Sequence, residues 1–137
     1  MGEVKAEVVL ENFVDRIRAQ ENGAVQVRSF KTQALVDSGA LMSMLPHDVV
    51  EYLGLPIRDK VIVTLANQDR EEMEVAEGLT IKIAGRSTTL PCLVGPPRCE
   101  PLIGQVVLEV LDLLVDCPNQ RIIPNPESPV YPSLKLK

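Results

Sequence analysis

Apolar and charged residues alternate from the start of the chain, with Val4, Ala6, Val8 and Leu10 on one face and Lys5, Glu7, Val9 and Glu11 on the other. That period of two predicts a half-buried strand. Residues 15–23 are polar and read as a loop or long hairpin connection, and residues 24–36 hold a second strand region ending in Ala34-Leu35-Val36. Pro46 to Leu53 predicts a short helix, with Pro46 at its first position and Gly54 as its stop. Residues 61–66 and 72–76 flank a polar stretch from Asn67 to Glu71, the pattern of a hairpin with a solvated tip. A second hairpin follows, in which Leu79, Ile81 and Ile83 alternate with Thr80 and Lys82, Gly85-Arg86 turns, and residues 88–94 return. The prolines of residues 95–101 exclude regular structure there. Beyond Leu102-Ile103-Gly104, the residues Val107, Leu108 and Leu111 keep helical spacing, and a last hairpin joins residues 113–115 to 121–123. The fold class predicted is all-β, many short strands with one or two short helices.

Length and composition narrow this picture. A chain of 137 residues fits one domain, and 45% hydrophobic content is enough for a core. Two Tyr, two Phe and no Trp leave Val, Leu and Ile to build it, and leave few rings on which nucleic-acid bases could stack. Fourteen basic against 19 acidic residues give a net charge of −5, the wrong sign for binding nucleic acid or a membrane surface. No apolar run approaches the roughly 20 residues that span a bilayer. The opening stretch has no export pattern, and Ala6 stands where myristoylation wants Ser or Thr. Cys92, Cys99 and Cys117 match neither a zinc nor a redox spacing and read as reduced thiols. The chain is therefore expected to be cytoplasmic, with no metal and no cofactor.

Chemistry concentrates in Ala34-Leu35-Val36-Asp37-Ser38-Gly39-Ala40, where an acidic residue ends an apolar strand and a hydroxyl and a glycine follow. A carboxylate buried there is costly unless satisfied. Ser38 is able to bond backbone, and Gly39 permits a tight turn in which its own N–H approaches the carboxylate. Alone, the triplet also fits an Asx turn without chemistry. His47, beside Pro46 at a helix start, reads as an exposed helix residue, and Glu71, Glu72, Glu74 and Glu77 read as a solvated strand face.

The setting of the triplet decides its reading. The apolar lead-in, Ala40 after the glycine, the downstream hairpin and Leu102-Ile103-Gly104 before a short helix together resemble the retropepsin-like aspartic proteases. The similarity is greatest to their small soluble bacterial members, through Leu102-Ile103-Gly104-Gln105, the run from Leu111 to Cys117, Asn119-Gln120-Arg121 and Pro124-Asn125-Pro126. It covers about residues 3–126, and it implies a single-domain acid protease barrel active as a homodimer. Residues 1–124 would form that domain and residues 125–137 a Pro-rich tail, extended or disordered.

By this resemblance Asp37 is catalytic, Ser38 braces two loops across the interface, Gly39 donates its N–H to the carboxylates, and Ala40 lines the floor. Leu102, Ile103 and Gly104 support the loop from beneath, and Ala66, Asn67, Gln68, Asp69 and Arg70 form a flap over a peptide or protein substrate. Two carboxylates about 3 Å apart share one proton, so one acts as base on a water and the other as acid towards the scissile carbonyl. Asp15, Asp48, Asp59, Asp69, Asp112 and Asp116 all lack the following hydroxyl and glycine. The second carboxylate must then come from a second copy across a two-fold axis. The implied activity is that of an aspartic endopeptidase. The family's flap commonly carries a glycine at its tip and this one has none, which favours an alternative, a dimeric peptide-binding or assembly module without turnover. Asp37, Ser38 and Gly39 together favour the enzyme.

Overall fold

The computed structural model describes residues 3–136. Strand β1 (Val4–Asn12) runs antiparallel to β2 (Ser29–Val36), with Val4 opposite Val36 and Leu10 opposite Phe30. Beyond β2 the sheet continues through β7 (Leu102–Ile103), β3 (Met44–Pro46), β6 (Arg86–Gly95), β5 (Arg70–Ile83) and β4 (Ile57–Thr64). Residues 9–12 of β1 also pair with residues 79–82 of β5, so the sheet closes on itself. Closure hides edges that would otherwise recruit other chains.

Closure depends on β5, a strand of 14 residues and not the short one its sequence pattern predicts. Its first half pairs with β4 and its second half with β1. Between them the register with β6 slips from Ala76 to Leu79, at Gly78, whose φ of +80° suits glycine alone. Pro91 of β6 falls opposite this slip, where a residue lacking an N–H is tolerated. The β5–β6 turn is made by Ala84 and Gly85, both at positive φ, instead of Gly85-Arg86. A two-residue turn that matches strand twist needs positive φ at both positions, and this places Arg86 in the strand, buried.

Three helices form where one or two were expected. The segment read as a loop from residue 15 is α1 (Phe13–Glu21). Nine residues do not hold a helix by propensity alone, and Phe13, Val14 and Ile17 remain exposed, so no buried stripe announces it. Side-chain bonds hold it instead. Asn12 Oδ1 accepts from Asp15 N at 2.9 Å while Asn12 Nδ2 donates to Leu53 O at 2.8 Å. Asp15, buried, accepts from the backbone N, Nε and Nη2 of Arg28. Glu11, also buried, accepts from Arg16 and from Lys82. Helix α2 (His47–Leu53) forms as predicted and stops at Gly54 in the left-handed region, but Pro46 caps it in an extended conformation and is not its first residue.

The short helix α3 (Gln105–Val110) and the hairpin of β8 (Leu113–Asp116) and β9 (Arg121–Pro124) complete the chain where the pattern predicts them. The core is aliphatic, with Leu10, Leu45, Leu53, Leu79, Ile81 and Ile103 fully buried. Phe30 and Tyr52 make an edge-to-face contact at 6.0 Å. Among the described residues no helix is long and apolar enough to cross a membrane.

The hydrogen bonds from Arg28 hold the Asp15 carboxyl down at about 2, against an ordinary value of 3.8. A carboxylate with a lowered folded-state pKa adds stability that is complete above its unfolded value and disappears as pH falls towards the folded one. Chemical denaturation between pH 5 and 2 should therefore show stability falling below about pH 4. Asp15→Ala should cost about 1–3 kcal/mol at neutral pH, since it strands a guanidinium that is itself half exposed, and should flatten that fall.

Candidate active site

Asp37 follows the last residue of β2, and its place is fixed by the strand beside it. β2 and β7 run parallel, with Leu35 opposite Leu102 and Val36 opposite Ile103. Leu35 N donates to Pro101 O at 2.9 Å and Asp37 N to Ile103 O at 3.0 Å, which ties the end of β2 and the turn's first residue to one neighbouring segment. The turn then closes on itself. Gly39 N donates to Asp37 Oδ1 at 2.9 Å, and Ala40 N to Asp37 O at 3.2 Å. Gly39 is not in the left-handed region, and a Cβ there would stand 3.2 Å from Asp37 Oδ1, a tight contact.

The supporting residues lie directly under this turn. Gln105 N donates to Ala40 O at 2.7 Å, Val106 N to Leu41 O at 3.2 Å, and Gly104 N to Ser43 Oγ at 3.0 Å. A Cβ on Gly104 would sit 2.6 Å from the carbonyl carbon and oxygen of Met42 and 2.7 Å from Leu41 O. Real Cβ atoms do not approach backbone so closely, so only glycine lets the two segments stack. Asp37, Ser38, Gly39 and Ala40 are thereby brought together with Leu102, Ile103 and Gly104.

Burial of the carboxylate differs from expectation. Asp37 is only half-buried, and Ser38 and Gly39 are exposed, because the turn ends the sheet at the surface of this chain. Its side chain lines an open groove of about 370 Å³ with Val4, Val36, Ser38 and Val115. The tip residues 66–69 do not line that groove.

The hairpin of β4 and β5 projects from the barrel as the sequence pattern indicates. Thr64 pairs with Arg70, which is the first residue of β5, and the tip spans residues 65–69. Leu65 N donates to Asp69 O at 2.7 Å and Gln68 N to Leu65 O at 2.9 Å. Asn67 Oδ1 accepts from Asp69 N at 2.9 Å. The left-handed position falls on Gln68, at φ +73°, and not on Asn67, whose side chain is engaged within the turn. Ile57, Val61 and Ile62 of β4 are exposed.

Residues 21–109 match the aspartyl protease family, one of retropepsin-like type. The match spans well over half of the chain and includes the Asp37 turn, the projecting hairpin and Gly104. The chain belongs to this family. No curated protein matches it. The mostly β structure agrees with the all-β fold of the family.

Two features of this family member escape a reading of its sequence. Ser43, buried, donates no recognisable motif, yet its hydroxyl accepts from Gly104 N and its carbonyl from Leu93 N, so it joins the loop after the turn to β6 and β7. Arg86, buried, donates to the carbonyls of Leu111, Asp112 and Ser128. A lone Ser in an apolar run and an Arg after a glycine carry no signal of such long-range partners. His47 is exposed, with Nδ1 3.6 Å from the Glu51 carboxylate, and Cys92, Cys99 and Cys117 are unpaired.

Gly104→Ala should cost about 1–3 kcal/mol in thermal or chemical denaturation, because the added methyl meets backbone that cannot yield. Gly23→Ala, with nothing within 4 Å of the new Cβ, should change stability by less than about 0.5 kcal/mol.

Proposed function

We propose that this chain is one half of an aspartic endopeptidase, whose active centre forms when Asp37 of two copies meet across a two-fold axis. The observation that carries the reading is the Asp37 turn itself: a carboxylate held by the Gly39 N–H at the end of a strand, braced from beneath by Gly104, and left half-open at the surface. A rigid carboxylate with one oxygen engaged and an open side suits a site completed from outside. No other Asp of the chain stands in such a triplet.

With the two carboxylates about 3 Å apart, one proton is shared between them. The ionised carboxylate takes a proton from water as the water oxygen bonds to the scissile carbonyl carbon, and the other gives its proton to the carbonyl oxygen. Collapse of the tetrahedral intermediate breaks the C–N bond as the departing nitrogen takes a proton from one carboxyl and a hydroxyl of the intermediate gives its proton to the other, which restores the singly protonated dyad. The β4–β5 hairpin, with bare apolar side chains Ile57, Val61 and Ile62, would close over an extended peptide and exclude water. The substrate is a peptide or protein, and the three unpaired thiols fit a reducing compartment such as the cytoplasm.

One observation favours the second reading, a dimer that binds peptide without turnover. The flap tip places its left-handed position on Gln68, where a side chain costs about 1 kcal/mol, and so lacks a glycine that would pass freely between backbone regions.

Purified protein should cleave an unstructured polypeptide at mildly acidic pH, and Asp37→Asn should lower the rate about a thousandfold or more while the fold is retained. Undiminished cleavage by that variant would remove Asp37 from the mechanism. Because the site needs two copies, specific activity should also fall on dilution. Gln68→Gly should leave thermal stability within about 1 kcal/mol of the parent and raise kcat on a saturating peptide, if the tip limits closure. An unchanged kcat would show that it does not.

A further inference from the structure

Residues 125–136 lie beyond the family match and form neither helix nor strand, yet they are fastened to the barrel. Asn125 N donates to Asp112 O at 3.0 Å and Asn125 Nδ2 to Asp112 Oδ1 at 3.1 Å. Ser133 N donates to Asp112 Oδ2 at 3.0 Å, and the Arg86 guanidinium, on the same site, holds Ser128 O as well as Leu111 O and Asp112 O. One carboxylate thus grips the tail at two points eight residues apart in sequence, Asn125 and Ser133. Asp112 itself sits at φ +52°, in the left-handed region. The Ser133 N–H and then the Asn125 amide lower the pKa of the Asp112 carboxyl.

The clasp orders the tail without burying it. Val130 is 73% exposed, Tyr131 80% and Leu134 62%. Soluble monomers seldom fix large apolar side chains outward along an ordered segment, and a run of them marks a surface awaiting a partner. Its position says which partner. Ser133, Leu134 and Lys135 share a groove of about 670 Å³ with Ser38 of the catalytic turn, Gln105 of α3 and Leu114 of β8. Around the same turn Leu41 is 70% exposed, its carbonyl bonded to Val106 of α3, and Leu114 is 44% exposed. A two-fold axis passing beside Asp37 brings the surface around the turn, of which this groove is part, towards its own copy. The turn is small, whereas a stable interface buries roughly 1,200–2,000 Å² in total. The apolar tail supplies surface that the turn lacks.

We propose that residues 128–136 are a dimerisation arm, fastened by the Arg86–Asp112 clasp so that Val130, Tyr131 and Leu134 are buried against a second copy of this chain. The inference rests on the dimeric site argued above and deepens it. The interface is isologous, so each copy both offers an arm and receives one.

The test is sedimentation of the full chain over a range of concentrations, compared with the triple variant Val130→Ser, Tyr131→Ser, Leu134→Ser and with a chain ending at Ser128, which keeps the Arg86 and Asn125 bonds. Circular dichroism verifies that each is folded, as is expected where the altered side chains are exposed. Both variants should raise the dimer dissociation constant about tenfold or more, and cleavage should fall at dilute protein but recover at high concentration. Dimerisation unchanged within about twofold, with Asp37-dependent cleavage intact, would overturn the arm alone. Tighter dimerisation or faster cleavage after truncation would overturn it too, since the tail would then be a block. A parent chain that stays monomeric throughout would overturn both the arm and the two-copy site.

Discussion

The approach of Gly104 to the backbone of residues 41–42 is the contact on which the rest of the site depends. Parallel pairing of β2 with β7 delivers Asp37 and Gly104 to the same end of the sheet, one strand apart. From there the chain after each must pass over or under the other. The loop of residues 40–43 crosses above α3, bonded to Gln105, Val106 and Gly104, and the absent side chain at Gly104 is what lets two backbones stack at contact distance. The turn is therefore held from its own strand, from beneath, and by its own Gly39 N–H. Three independent attachments leave the carboxylate little freedom, which is what a preorganised acid–base group requires.

A closed sheet and a projecting hairpin come from one strand. β5 is long enough to serve two partners, and the glycine bulge at Gly78 turns it from the barrel wall into the hairpin. The half of β5 inside the wall carries Leu79, Ile81 and Ile83, all buried, whereas Glu71 and Glu72 near the tip are exposed. Burial at the base and exposure at the tip thus follow from which residues of a single strand have a core to face.

Charged groups do their work away from the Asp37 turn. Asp15 with Arg28, and Glu11 with Arg16 and Lys82, fasten a short helix whose apolar residues find no core, and the Arg28 guanidinium packs over Gly54. At the opposite end Arg86 and Asp112 fasten a tail that also lacks a core. In both places ionic hydrogen bonds order a segment that hydrophobic burial does not.

Local pattern in the sequence determined the elements whose signal is periodic: the alternation that makes β1, the two hairpins, α2 with its stop at Gly54, and α3. It also determined the Asp37 turn and the supporting Gly104, since a hydroxyl and a glycine after an acidic residue, and a glycine before a helix, are chemically specific. The tertiary structure alone decided α1, because its nine residues are held by Arg28 and Leu53, far along the chain, and not by an amphipathic stripe. It alone decided that Gln68 takes the strained position, that Arg86 lies inside the barrel, and that the Asp37 carboxylate stays half-open. Those outcomes depend on which distant backbone comes within bonding distance, and no run of neighbouring residues encodes that by itself.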